Sequence, residues 1–272
     1  VPTVGNAQRW DGTDLNLLDA AAVFAAGVAA GGINTVVGSG SLITFPTLVA
    51  LGYPPVVANI SNNIGLVPGG VTGAYGYRNE LTGQRGRLLR LGSGSLIGAV
   101  IGGLLLLGLP AEAFDVIVVA LIIIALVLVI VQPRLQKWIR ARRAEEGTQP
   151  PHGGPLLWVG VLLAGMYGGY FGAAQGIILI ALLGIMLDDD LQRLNAGKNV
   201  LSAVVNGTAA ILFTLTWLFG DTEINWWAVL LIAAGSTCGG AIGASVGRRI
   251  PPMVLRGVIV VVGLVAIVNL LA

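Results

Sequence analysis

Charge is scarce in this sequence. Only 10% of its 272 residues are Asp, Glu, Lys or Arg and 55% are apolar, whereas an ordinary soluble domain carries about 25% charge. The chain therefore reads as a membrane protein. Cysteine and histidine are almost missing. Cys238 stands alone in an apolar block and has no partner for an intrachain disulfide, so helix packing is its expected role. His152 lies in a Pro/Gly-rich connection, which leaves a histidine-based metal site without support. No G-x-Y period runs through the glycines, which excludes collagen. No G-x-x-x-x-G-K-[ST] run occurs, so nothing points to ATP. The start, VPTVGNAQRWDGTDLN, has no basic segment followed by a cleavage motif and does not read as a signal peptide. No nucleophile, base and orienting acid recur together in the apolar blocks, which disfavours an enzyme. No cofactor, resident metal or nucleic-acid partner is implied, and no residue pattern fixes an oligomeric state.

The apolar residues come in long blocks rather than short alternating runs, which favours an all-α polytopic membrane protein over a barrel. Glycine is abundant, 41 of 272 against a usual share of about 7%, and small residues let membrane helices approach closely. Two blocks are too long for one upright helix, which needs about 20 apolar residues. The first runs from Asp19 to Leu51, and its middle, Gly31 to Ser41, holds four glycines and four small or amide polar residues. The second runs from Leu156 to Leu187 and is opened by Gly168, Gly169, Gly172, Gln175 and Gly176. Opened backbone in hydrocarbon must lie against protein or a water-filled cavity. Each block is expected to be broken, with half-helices meeting at Gly38–Ser41 and at Gly172–Gly176. The alternative is one tilted helix whose glycines serve packing.

Between and after these blocks lie plainer spans: about 56–77, 91–109, 114–131 (closed by Pro133), 195–219, 226–246, and one from Pro251 and Pro252 to the end. Arg78, Arg85, Arg87 and Arg90 crowd an expected loop, and the run VIVVALIIIALVLVIV suits a lipid-facing helix. The polar connection 134–154 divides an N-terminal repeat, 17–133, from a C-terminal one, 155–272. GSGSLITFP from Gly38 is matched by GAAQGIILI from Gly172, ANISNNI from Ala58 by LNAGKNV from Leu194, and GAVIG from Gly98 by GASVG from Gly243. Interrupted helices at matching positions of two related halves are a pointer to a transporter.

Positive loops favour the cytoplasm. If each overlong block enters and leaves on one face, as a hairpin or a pair of short spans, every Lys and Arg except Arg9 becomes cytoplasmic or cytoplasm-proximal. The N-terminus is then outside, the connection 134–154 is inside, and the two four-helix repeats are inverted in a plasma membrane.

The breaks and the amide-headed helices should converge. Gly38, Ser39, Gly40 and Ser41 with Asn59, Asn62 and Asn63 face Gly172, Gln175 and Gly176 with Asn195, Lys198 and Asn199. Backbone N–H groups at half-helix ends commonly hold anions in transporters. Lys198 is the one charged residue in this polar region, and no carboxylate lies at comparable depth. Donors, a lysine and no acid describe a site for a small anion. The plainer alternatives are interhelical glue for the amides and an interfacial role for Lys198. Tyr167, Tyr170 and Phe171 either line that cavity or pack, and Trp10, Trp138, Trp226 and Trp227 read as interface anchors against the lipid bilayer.

From about Leu17 to Leu271 the chain resembles the sulfite exporter TauE/SafE family of membrane permeases. The resemblance rests on Gly38, Gly40 and Pro46, on PPVVANISNNIGLVPGG, and on the weaker copies FGAAQG and NAGKNV. It implies two inverted four-helix repeats and export of sulfur-containing anions such as sulfite, sulfoacetate or related sulfonates. It also implies re-entrant centres at 38–41 and 172–176 beside the helix starts at Asn59/Asn63 and Asn195/Lys198/Asn199. The second copy departs from the pattern at Ala173, Ala174 and Gln175 and has Ile180 where a proline is expected. An anion channel, or a carrier of another small solute or a metal ion, stands as the alternative.

Overall fold

The computed structural model describes residues 16–143, 153–220 and 222–245, with individual helical positions between 257 and 268. The polar start with Arg9 and Trp10, the part of the connection holding Glu145, Glu146 and His152, and the breaks at Arg248/Arg249 and Pro251/Pro252 lie outside the described residues.

Helix α1, Leu17–Val36, opens on Asn16, whose side chain accepts the Asp19 N–H at 2.9 Å and satisfies one of the donors a helix start leaves over. It stops at Val36, and α2 begins at Ser41 and ends at Ala50. The second overlong block divides likewise into α6, Pro155–Tyr170, and α7, Gln175–Met186. At 1.5 Å per residue, the 10 residues of α2 reach about 15 Å and the 12 of α7 about 18 Å. Neither crosses a hydrocarbon core of about 30 Å. The remaining helices are α3 (Pro55–Gly76), α4 (Arg85–Gly108), α5 (Ala111–Arg143), α8 (Leu191–Phe219) and α9 (Trp226–Ser245), with a 3-10 turn, Arg78–Leu81, between α3 and α4. Among the described residues, α1, α4, α5, α8 and α9 are long and apolar enough to cross a membrane. The protein is all-α and polytopic.

Three expectations change. Arg85, Arg87 and Arg90 lie on the first turns of α4 rather than in a loop. Pro133 does not end its helix, because α5 continues to Arg143. Proline removes one N–H, but the sequence beyond it, RLQKWIRARR, is rich in Arg, Lys, Leu and Gln, which are strong helix formers; polarity there marks a helix leaving the bilayer, not its end. Cys238 is exposed on α9 instead of packed in a helix seam.

The first helix of each half packs on the fourth of the other: α1 on α9 and α4 on α6. Both seams depend on missing side chains. A methyl on Gly27 would lie 3.1 Å from the Ile232 Cα, and one on Gly165 would lie 2.8 Å from the Ser95 carbonyl oxygen. Helices α3 and α8 cross at the centre, with α9 against α3 and α4 against α8. The run that reads as uniformly lipid-facing in α5 has two sides: Val118, Ile122, Ala125 and Val129 are buried, while Val116, Ile123, Val127 and Ile130 are exposed. The spacing of the buried set is helical, so one stripe of α5 covers the protein and the other meets lipid.

Candidate functional site

Both breaks are made the same way. The N–H groups of Val37 and Gly38 converge on the Ile33 carbonyl at 2.7 and 3.0 Å, and those of Phe171 and Gly172 converge on the Tyr167 carbonyl at 2.9 and 3.1 Å. Gly38 (φ 93°) and Gly172 (φ 79°) take the left-handed conformation that turns the chain out of each helix. The breaks then touch. The Gly176 N–H donates to the Gly38 carbonyl at 3.0 Å, and a methyl on Gly38 would lie 2.5 Å from the Gly176 Cα.

A helix that stops inside a protein leaves carbonyls without intrahelical partners, at the negative end of its dipole. At α1 these are capped from α8. The Lys198 ammonium donates to the Asn34 carbonyl at 2.9 Å and to that of Thr35 at 3.3 Å, and the amides of Asn195 and Asn199 reach the Thr35 carbonyl at 3.2 and 3.3 Å. Lys198 is 1% exposed, so its charge is balanced by backbone dipoles rather than by water. At α6 the cap comes from α3, where the Asn59 amide donates to the Tyr170 carbonyl at 2.9 Å. Asn62 stands where the second stretch has Lys198, and its side-chain amide oxygen accepts the Thr44 hydroxyl. The arrangement is thus crossed: α8 caps the end of α1, and α3 caps the end of α6.

The backbone donors expected for a solute are largely bonded to protein. Gly40 N–H donates to the Asn34 side chain at 2.7 Å, Leu42 N–H to the Ser39 carbonyl at 3.1 Å, and Ile177 N–H to the Ala174 carbonyl at 2.9 Å. Buried side-chain atoms without a partner lie around them: Ser39 Oγ, Asn62 Nδ2, Asn59 Oδ1, Asn63 Oδ1 and Gln175 Nε2. An unpartnered buried polar group is costly. Several such groups together mark a place where water or a solute completes the bonding.

Between the breaks and α8 lies a cavity of about 20 Å³, room for about one water. Asn34, Thr35, Gly38, Ser41, Gly70, Gly172, Gln175, Gly176, Asn199, Ser202, Ala203 and Asn206 line it. Of the expected residues, Gly38, Ser41, Gly172, Gln175, Gly176 and Asn199 meet there. Ser39, Gly40, Asn59, Asn62, Asn63, Asn195 and Lys198 are not part of the lining; of these, Asn59, Asn195 and Lys198 cap helix ends. Asn34, Gly70, Ser202 and Asn206 were not among the expected residues. The signal for part of this set is helical spacing: 199, 202, 203 and 206 fall on one face of α8. Tyr167, Tyr170 and Phe171 pack instead of lining the cavity; Phe171 meets Phe45 edge-on at 5.2 Å, Tyr170 meets Phe114 at 5.8 Å, and the Tyr167 hydroxyl donates to the Ala173 carbonyl.

One charged cluster ties the halves together away from the cavity. Asp189, in the turn before α8, takes Arg87 of α4 at 2.6 Å and Arg193 at 2.7 Å. Gln84, buried beside them, donates to the Arg193 carbonyl at 3.1 Å. Burial alone would raise the Asp189 pKa, but the hydrogen bonds from Arg87, Arg193 and the Asp190 N–H outweigh it and hold the carboxyl below the usual carboxylate range. At the start of α9 the Asn225 N–H donates to the Ser61 hydroxyl at 3.0 Å.

The sequence matches the Sulfite exporter TauE/SafE family over residues 23–270. The chain belongs to that family. A TauE/SafE protein is a membrane transporter and not an enzyme. Among the described residues, no group of three or more His, Cys, Asp and Glu is placed to hold a metal ion. The chain is similar to the probable membrane transporter protein YfcA of Escherichia coli (strain K12), 24% identical over 250 residues, which cover 92% of this chain and 88% of that protein. It is also similar to a probable membrane transporter protein of Haemophilus influenzae, 25% identical over 245 residues, 89% of this chain and 90% of that one. No solved structure matches the chain.

Proposed function

We propose that this TauE/SafE protein is a secondary transporter that exports small sulfur-containing anions, such as sulfite, sulfoacetate or related sulfonates, by alternating access. In this reading the halves 17–133 and 155–272 are inverted repeats in the plasma membrane, the N-terminus is outside and the connection 134–154 is cytoplasmic. The observation that carries the reading is the lining of the central cavity: amides, hydroxyls and glycines, with no carboxylate, and the Gln175 amide nitrogen without a partner. A buried cation would need oxygen ligands and countercharge; here the nearby charge is the Lys198 ammonium, which neutralises the carbonyl end of α1, while the Gln175 amide nitrogen has no partner. The crossed packing of α1 on α9 and α4 on α6, and the crossed capping of each break by the other half's helix, support two halves that move against each other. A cavity with room for about one water favours a carrier over an open channel. The Sulfite exporter description of the family supports the choice of substrate class.

The test is uptake of sulfite, thiosulfate and a sulfonate into proteoliposomes, compared for the wild type and for Gln175→Glu, which keeps the side-chain size but sets a carboxylate where the donor stands. Wild-type flux that saturates, and a loss of about tenfold or more in the variant, are expected. Absence of anion flux in the wild type, or equal rates in the two proteins, would overturn the proposal.

A further inference from the structure

The central cavity has a thin side. Ala203 of α8 lines it, and the same Ala203 lines a second, open groove of about 480 Å³ on the outside of the α3–α8 crossing. The groove is walled by Val71, Ala74 and Tyr75 of α3 and by Val200 and Val204 of α8. At its end the Arg78 guanidinium lies 4.7 Å from the centre of the exposed Tyr75 ring. Gly70, the residue before Val71, lines the cavity opposite. Gly70 and Ala203 face each other across the α3–α8 seam between cavity and groove. A methyl on Gly70 would meet the Ala203 Cβ at 3.6 Å, ordinary contact with no overlap. At Gly38 and Gly176 the cavity is closed by backbone held to backbone. Gly70 carries no side chain and Ala203 only a methyl, so parting them breaks no side-chain hydrogen bond.

We infer that the anion enters or leaves the central cavity through the α3–α8 seam at Gly70 and Ala203, and that the groove with Arg78 is its outer binding site on that side. The inference rests on the proposed transport of anions and adds the route. The groove suits an anion with an apolar portion: its walls are aliphatic and aromatic, and its single cation sits at the mouth beside a π face, where a sulfonate can be paired while its carbon part lies on Val71 and Val204. An anionic lipid headgroup offers the same chemistry. The transported anion is the assigned occupant because Ala203 makes groove and cavity continuous.

The separation at the seam permits a reversible test, since a disulfide needs Cβ atoms about 3.5–4.5 Å apart. In a Cys238→Ser background, Gly70→Cys with Ala203→Cys should form a disulfide on oxidation. Oxidation should lower uptake of sulfite and of 4-methylbenzenesulfonate at least tenfold relative to the same protein reduced, and reductant should restore it. Transport that continues after complete cross-linking overturns the inference, and so does failure of the two thiols to pair. A second measurement does not depend on the substrate. Asn206→Cys, in the same background, should react with a membrane-impermeant thiol reagent added on the Arg78 side, and Gly70→Leu should slow that reaction at least tenfold while the protein remains monodisperse. If the wild type carries no anion but this labelling is seam-dependent, the transport reading fails and the route stands. Labelling that is indifferent to Gly70→Leu sinks the route. Arg78→Gln should raise KM about fivefold from its own side only, the effect of one exposed charge pair, in vesicles of phosphatidylcholine alone. An effect seen only with phosphatidylglycerol present would make the groove a lipid site and overturn its assignment to the anion.

Discussion

The two breaks share a backbone and differ in chemistry. In both, a glycine at positive φ follows a helix whose last N–H groups close on one carbonyl. Around the first, Asn34 closes the loop at Gly40, and Lys198, Asn195 and Asn199 hold the end of α1, while the Ser39 hydroxyl has no partner. Around the second, glycine stands at the position of Asn34, namely Gly168, and the space is filled by Gln175, whose amide nitrogen has no partner. Asn59 is the one side chain seen capping that helix end. The second loop also sets Ala174 at φ 60°, where the first has Gly40 at φ −61°, a strained choice for a residue with a Cβ. The first break is held by a charged cap and the second by a neutral one, with the Gln175 amide nitrogen left over.

That asymmetry can be broken at several depths. The largest effect is expected at the contact between the breaks: Gly38→Ala drives a methyl against the Gly176 backbone and strains the left-handed turn, costing about 3 kcal/mol or more. Gly172→Ala meets only the Gly168 carbonyl at 3.0 Å and should cost about 1–2 kcal/mol. Thermal unfolding in detergent compares them, and equal destabilisation would contradict the division drawn here. Next, Lys198→Met keeps the aliphatic stem but leaves the α1 carbonyls without the ammonium, a loss of about 2–3 kcal/mol, whereas Asn62→Leu at the matching position removes one neutral bond and about 1 kcal/mol. The two melting temperatures should fall in that order.

The charged junction comes third. Asp189→Asn should lower stability by about 1–2 kcal/mol. Because the folded-state pKa of Asp189 is depressed, its contribution is fully present above the ordinary carboxylate range and is lost as pH falls through the lower, folded value. The gap between variant and wild type should therefore stay constant from about pH 8 to 5 and close only below about pH 4. A gap that closes near neutrality would exclude the carboxylate as its source. The smallest effect belongs to Asn34→Ala, which frees the Gly40 N–H and should cost about 1 kcal/mol, with no counterpart at Gly168.

Much of the architecture was legible because membrane solvent is unforgiving. Apolar length located the helices, and glycine clusters with polar residues inside overlong blocks located both breaks to within a turn, since an opened backbone needs small residues and cover. The amide-headed helices α3 and α8 were likewise readable, because polar side chains at membrane depth must face protein. Pro133 misled because proline is a weaker stop signal in a helix followed by strong helix formers. Asn34, Gly70, Ser202 and Asn206 escaped because each is an ordinary residue whose role comes from what lies across the cavity. Lys198 was singled out as the one charged residue of the polar region, yet its direction, toward carbonyls of α1, depended on a helix end more than 160 residues away in sequence.

The sequence by itself determined an all-α membrane protein with two broken stretches and no acid near them, because transfer free energies and backbone hydrogen bonding act on each segment alone. Tertiary structure alone decided which donors are consumed as helix caps and which remain vacant. That partition is set by distances between helices from opposite halves, and a few ångströms separate a Lys198 free to meet a solute from the Lys198 that caps the end of α1.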